Sequence, residues 1–255
     1  MNLAKARVLI SNDDGIHAPG LKVIERVARK LFKEVWVVAP ETEQSAASHS
    51  LTIRQPLRIR KLGPRRYAVD GTPTDSVLLG VQEAMRDHRP DLVISGINRG
   101  GNLGEDVTYS GTVAAAMEGT LLGLPSVALS QHYTDRQKVS WKTAEAWTAK
   151  VLGELMKVDW PRGVLMNVNF PDVAPADIIG IEYVRQGRRK IGGDLQPGTD
   201  PRGERYFWIG AQRDEEKFRP GTDLEAVGRG AIAVTPLTID MTHAGMLKKL
   251  RAELS

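Results

Sequence analysis

Arg7-Val8-Leu9-Ile10-Ser11-Asn12-Asp13-Asp14-Gly15 decides the reading of this chain. Val8, Leu9 and Ile10 form a continuous apolar run, the pattern of a strand buried on both faces of a parallel sheet. Turn formers follow at once, and then Leu21, Ile24, Val27, Ala28 and Leu31 recur at helical spacing. Two adjacent carboxylates therefore stand on a strand-to-helix turn at the carboxyl end of a buried strand, the edge where open α/β sheets bind ligands. Side by side they repel unless something neutralises them, and a cation does so most simply. The plain structural alternative is that Asp13 or Asp14 caps the helix and Gly15 makes the turn.

Working outward, β–α alternation continues. Val35-Trp36-Val37-Val38-Ala39 reads as a second buried strand ending at Pro40, followed by the small, polar loop 41–50. Leu57-Arg58-Ile59-Arg60 and Tyr67-Ala68-Val69 alternate as antiparallel strands do. Gly71-Thr72-Pro73-Thr74-Asp75 opens a helix through Val77, Leu78, Val81 and Met85. Thr72 serves as its N-cap, Pro73 takes its first position and Asp75 lies in its first turn, so the motif reads mainly as a cap. Residues 90–96 form another buried strand, which runs into a glycine- and asparagine-rich loop ending in Ser110-Gly111-Thr112. The helix former Val113-Ala114-Ala115-Ala116-Met117-Glu118 comes next. Its start, with two hydroxyls and a glycine, suits an anion, though it is also an ordinary N-cap. Strands at 125–130 and 164–170 flank a helix through Ala144, Trp147, Val151, Leu152 and Leu155.

The expected fold is α/β, a Rossmann-like, doubly wound and mostly parallel sheet over residues 1–170. Residues 171–255 read as a β-rich extension used in assembly and completing a single domain. It has strands at 178–184, 205–209 and 231–237, a Gly/Pro-rich link at 192–203 and a terminal helix at 243–254.

Composition narrows the function. The 255 residues are 41% hydrophobic and 26% charged, ordinary for a globular protein, and contain no cysteine. Disulfides and thiolate chemistry are excluded, and a reducing, cytoplasmic setting is expected. No run is long enough to span a membrane, and the first residues lead straight into a strand without a signal peptide. The net charge of +4 has basic clusters at 58–61, 65–66 and 185–190. These attract anions, but any one of them is more simply a solvated face. With 5% aromatic residues, a nucleic-acid surface built on base stacking is not indicated.

Asp13, Asp14, Asn98 and Ser45 all fall at strand carboxyl ends and offer only oxygen, which suits Mg²⁺, Mn²⁺ or Ca²⁺ better than zinc. The five histidines show no ligand spacing; His17 and His49 lie in the candidate loops, where they could orient ligands. A hard cation beside a helix start points to a phosphate-bearing substrate, whose phosphoryl oxygen it would polarise while lowering the pKa of a bound water. Asn102, Ser110, Gly111 and Thr112 are the expected phosphate contacts. Three other classes fit less well. An aspartyl-phosphate phosphatase needs a second Asp two residues after the first, where Gly15 stands. The glycines of the 96–104 loop do not give the dinucleotide fingerprint. A non-catalytic nucleic-acid-binding protein leaves Asp13 and Asp14 unexplained.

In combination and order, several motifs resemble the survival protein SurE family over essentially the whole chain. They are Ser11-Asn12-Asp13-Asp14-Gly15 with His17-Ala18-Pro19-Gly20, the Gln44-Ser45 loop, Gly71-Thr72-Pro73-Thr74-Asp75, Ser95-Gly96-Ile97-Asn98 and Tyr109-Ser110-Gly111-Thr112-Val113. The later Asp200-Pro201-Arg202-Gly203 and Gly221-Thr222-Asp223 agree. The resemblance implies a metal-dependent phosphomonoesterase, a 5′/3′-nucleotidase releasing nucleoside and phosphate from nucleoside monophosphates. It implies one divalent cation per subunit, Mg²⁺ or Mn²⁺ (Ca²⁺ in crystals), on Asp13, Asp14, Ser45 and Asn98. Asp13, Asp14 and Asn98 are then the catalytic residues. It further implies dimers or tetramers that exchange C-terminal elements, with no membrane or stable nucleic-acid partner. Ala46 stands where a glycine is usual, and Arg99 and Gly101 vary the glycine-rich loop.

Overall fold

The computed structural model describes residues 1–135, 138–191, 195–209, 213–215 and 219–254. The first buried run is β1 (Arg7–Ser11), followed by α1 (Pro19–Leu31) and β2 (Glu34–Pro40). An antiparallel pair, β3 (Ile59–Gly63) and β4 (Arg66–Val69), leads to α2 (Pro73–Leu79). Then come β5 (Leu92–Arg99), α3 (Gly111–Leu121), β6 (Ser126–Gln131), α4 (Lys142–Leu155) and β7 (Val164–Phe170). The rest comprises β8 (Ile181–Tyr183), β9 (Arg189–Ile191), β10 (Leu195–Thr199), β11 (Arg205–Ile209), β12 (Arg213–Glu215), α5 (Asp223–Gly228), β13 (Ile232–Thr238) and α6 (Ala244–Leu254).

Nine strands form one sheet in the order β3-β4-β2-β1-β5-β6-β7-β13-β8. Pairing is parallel from β4 through to β7. β13 lies antiparallel to β7, and β8 is parallel to β13. Alternate residues of β1 feed opposite faces, as pleating requires. Val8 and Ile10 pack with Leu21 and Ile24 of α1 and Val151 of α4. Leu9 packs with Val38, Val77 of α2 and Ala115 of α3. Each of these side chains is fully buried or nearly so, a contribution of about 1.5–3 kcal/mol for each large one. From β1 the chain moves outward to β2, and from β5 it moves the other way to β6. The β1/β5 seam is thus the topological switch point, where a crevice opens beyond the strand ends.

Three local readings change. The helix expected through Met85 is α-helical only to Leu79 and continues as a π-helical turn, Gly80–Ala84. The expected strand at 178–184 shortens to β8. Part of the Gly/Pro-rich link is the strand β10, which pairs antiparallel with β11; Pro197 and Gly198 sit within an exposed ribbon, where a missing donor is tolerated. Gly192, Gly193 and Asp194 lie outside the described residues. Residues 171–255 divide between the sheet, through β8 and β13, and ribbons standing off it, β10–β11 and β9–β12.

Candidate active site

A cleft of about 410 Å³ opens at the switch point. Asp13, Asp14, Ser45, Asn98, Asn102 and Ser110 all line it, joining the turn after β1, the loop after β2, the end of β5 and the start of α3. The sequence-derived residues thus converge from four separate segments.

The cap reading of the two aspartates does not survive. The N-cap of α1 is Ala18, with Pro19 at the first helical position and, among the described residues, no side-chain cap. Asn12 instead fixes the turn by donating from Nδ2 to the Gly15 carbonyl at 3.0 Å. Asp13 is 4% exposed. Burial pushes its carboxyl up, and the Thr112 hydroxyl and amide, which donate to it, pull the other way. Asp13 therefore sits on the positive end of α3. Gly111 makes this approach possible, since a Cβ there would stand 2.7 Å from the Asp13 Cβ. Asp14 is partly buried and its pKa is pushed up to about 7, first by burial, then by the charge of Asp13. The Arg99 amide, donating to Asp14 Oδ2 at 3.3 Å, opposes that rise. The expected repulsion is thus present, and burial outweighs it.

Asn98 is presented by β5, whose Gly96 has φ +131°; a Cβ there would meet the Leu129 carbonyl oxygen at 2.3 Å. Asn98 Nδ2 donates to the Gly100 carbonyl at 2.9 Å, which leaves its amide oxygen as the ligand-type atom. The Ser45 hydroxyl donates to Glu43 at 2.7 Å. Ala46 beside it has φ +61°, a conformation that favours glycine. Asn102 is clamped: its amide nitrogens donate to Asn169 and Ser130, each at 2.8 Å, and its carbonyl accepts from Asn167 at 2.8 Å. The Ser110 hydroxyl accepts from Val113 N at 3.1 Å as the cap of α3, and Ser110 also borders the cleft. Thr112 is fully buried and its hydroxyl serves Asp13. Gly111 and Thr112 therefore support the cleft from behind.

Sequence reasoning missed two features. Glu43 borders the cleft and raises both aspartates. Arg189 was absorbed in a cluster read as a solvated face, yet it is 4% exposed. Its guanidinium bonds Asp106, through Nε at 3.1 Å, and the Gly101 carbonyl at 3.2 Å. Only its place in the basic run 185–190 could have singled it out. His17 is exposed and borders nothing in the cleft.

The donor set fits a hard dication: two carboxylates and the uncharged oxygens of Ser45 and Asn98. Among the described residues no three His, Cys, Asp or Glu side chains converge as a ligand group, so neutral oxygens would have to complete such a site.

A Rossmann-like α/β protein with paired carboxylates at its switch point is the class that fold and site define. A family model described as "Survival protein SurE" matches residues 8–193. The chain is 65% identical over 244 residues to the 5′-nucleotidase SurE of Paramagnetospirillum magneticum, covering 96% of this chain and 94% of that protein. It is 56% identical over 252 residues to the 5′-nucleotidase SurE of Rhodospirillum rubrum, covering 98% and 96%. The crystal structure of the SurE protein from Aquifex aeolicus superposes with a TM-score of 0.85 at 38% identity, over 98% of this chain and 100% of that one. This chain belongs to the SurE family.

Proposed function

We propose that the protein is a 5′-nucleotidase, a divalent-cation-dependent phosphomonoesterase that hydrolyses nucleoside 5′- and 3′-monophosphates. The observation that carries this reading is the single cleft shared by Asp13, Asp14, Asn98, Asn102 and Ser110. Asp13, Asp14, Asn98 and Ser45 would hold the cation, Mg²⁺ or Mn²⁺. When bound, it supplies positive charge to the phosphoryl group and acidifies a water. The chain's own groups do the positioning. Thr112 and the start of α3 fix the Asp13 carboxylate, and Gly100 fixes the Asn98 amide. The Ser110 hydroxyl, which accepts from Val113 N, and the second Nδ2 hydrogen of Asn102 offer donors to the phosphate. Phosphate release from a nucleoside monophosphate is expected with Mn²⁺ or Mg²⁺ and lost on chelation. Full turnover after exhaustive EDTA treatment would overturn the metal assignment.

Within residues 171–255 we assign the β10–β11 ribbon and α6 to assembly. The ribbon strand β11 exposes Tyr206, Phe207, Trp208 and Ile209 in succession, and α6 exposes Met246, Leu250 and Leu254. Such apolar surfaces are normally covered, and a second copy of the chain is the occupant the family resemblance suggests. Light scattering should give at least twice the 28.0 kDa of one chain, and Trp208→Glu should lower that mass; a wild-type monomer at micromolar concentration would contradict it. No helix of the described residues is long and apolar enough to cross a membrane. With no cysteine in the chain, we place the protein in the cytoplasm.

A further inference from the structure

The loop at 44–52 carries Ser45 into the cleft, yet Ser45 is exposed and bonded only to the neighbouring Glu43 in its described contacts. What keeps it there lies further along the loop. At one end Gln44 N donates to the Asp13 carbonyl at 2.8 Å. In the middle Ser48 reaches the segment before α3, through its amide to the Tyr109 carbonyl at 3.2 Å and through its hydroxyl to the Thr108 carbonyl at 2.8 Å. Next, His49 Nε2 lies 3.0 Å from Oε2 of Glu118 on α3, with side chains 30% and 8% exposed. At the far end the Thr72 hydroxyl donates to the Ser50 carbonyl at 2.8 Å. Thr52 donates to Asp75 through its amide at 3.0 Å and its hydroxyl at 2.6 Å.

These contacts give work to a motif the cap reading left idle. Thr72 and Asp75 do make the expected capping box on α2. Asp75 is 1% exposed and its two oxygens also take both donors of Thr52. The start of α2 is therefore an anchor for the loop as well as a helix end. The loop itself is held in a disfavoured shape: Ala46 and Ser48 have φ +61° and +53°. Non-glycine residues leave that region unless their surroundings hold them in it.

We infer that residues 44–52 are a strap that positions Ser45, fastened to α3 by the His49–Glu118 pair and anchored on α2 by Thr72 and Asp75. The inference rests on the reading of Ser45 as a cation ligand. One rigid helix then sets two ligands at once: α3 orients Asp13 through Thr112 at its first turn and Ser45 through Glu118 two turns later. His49 and Glu118 do not border the cleft and are positioning residues. Outer partners of this kind typically change metal affinity about 10-fold or more.

The test uses the full chain, metal-free, titrated with Mn²⁺ in a calorimeter without substrate, beside thermal melts and hydrogen exchange. His49→Ala should weaken Mn²⁺ binding about 10-fold, speed exchange at residues 45–49 and lower the melt modestly, since Glu118 is nearly buried but water can enter through the space that His49 leaves at the surface. His49→Gln, whose amide can still reach Glu118, should restore most of the affinity. Adding Ser45→Ala to His49→Ala should weaken binding little further, because both act through the same ligand. Glu118→Ala should loosen the strap as His49→Ala does. Unchanged Mn²⁺ affinity in His49→Ala, with Asp14→Asn binding poorly, would overturn the strap and leave the metal reading standing. A lowered melt with an unmoved titration would mark the contact as merely structural and equally overturn it. No Mn²⁺ uptake by the wild type would overturn the metal reading, and the strap with it.

Discussion

Asp14→Asn is expected to lower kcat/KM for a nucleoside monophosphate by on the order of 10²–10³-fold, because it removes a charged ligand from a centre whose work is electrostatic. The same change should stabilise the metal-free protein. Asp14 holds its proton up to about 7 in the fold, against an ordinary value of 3.8. Between those values the native state binds more protons than the unfolded chain, so stability falls as pH rises through this window, and the full deficit stands above it. Each unit is worth about 1.4 kcal/mol. Because the side chain is partly exposed, we discount the sum to a gain of about 1–3 kcal/mol for the asparagine variant above pH 7, or roughly 3–8 °C in Tm. Below about pH 4 the two proteins should melt alike. The measurements are kcat/KM at saturating Mn²⁺ and metal-free melts at both ends of the window. Near wild-type kcat/KM would remove Asp14 from the centre, and a Tm lowered at high pH would contradict its burial as a strained acid.

Asp106→Ala should be the most damaging single change away from the aspartate pair. Arg189 is buried, and Asp106 takes bonds from both its Nε and an Nη nitrogen. Removing one partner of a buried ion pair costs about 3–5 kcal/mol, because the other charge stays buried. The Gly101 carbonyl and the nearby charge of Asp223 temper that loss, so about 3 kcal/mol is expected in denaturant unfolding. The double change Asp106→Leu with Arg189→Met should recover part of it, since a well-packed apolar pair can replace a buried ionic one. A loss below about 1 kcal/mol, the worth of a surface pair, would show that this contact does not hold β9 to the cleft wall.

The parts of this protein legible in its sequence are those where local rules and burial agree. β1, β2, β5 and β6 are continuous apolar runs because both faces of the sheet are covered, and such runs announce themselves. Asp13 and Asp14 were legible because turn chemistry right after a buried strand fixes where they must lie. Ser45 and Asn98 followed from the same edge rule. Arg189 and Asp106 were not legible. Their pairing joins residues far apart along the chain, and an arginine inside a basic run looks like solvated surface until the fold buries it. The second duty of Thr72 and Asp75 was hidden for the opposite reason: the cap accounted fully for the motif, so nothing pointed to a further partner. β9, β10 and β12 are short and lie outside the main sheet, where side-chain periodicity is weakest.

The central place of β1 also governs the order in which the chain can be made. Its first neighbour, β2, follows closely, but its other edge waits for β5, with Val8 paired to Leu92. At about 5–20 residues per second of synthesis, that edge stays open on the nascent chain for several seconds or more. A newly made chain thus exposes an apolar hydrogen-bonding rail before the β5 side of the cleft exists. The acidic turn at Asp13 and Asp14 ends that rail in two charges, and flanking charge of this kind discourages strand-to-strand aggregation. The carboxylates that burden the finished fold would then guard an unpaired edge during birth.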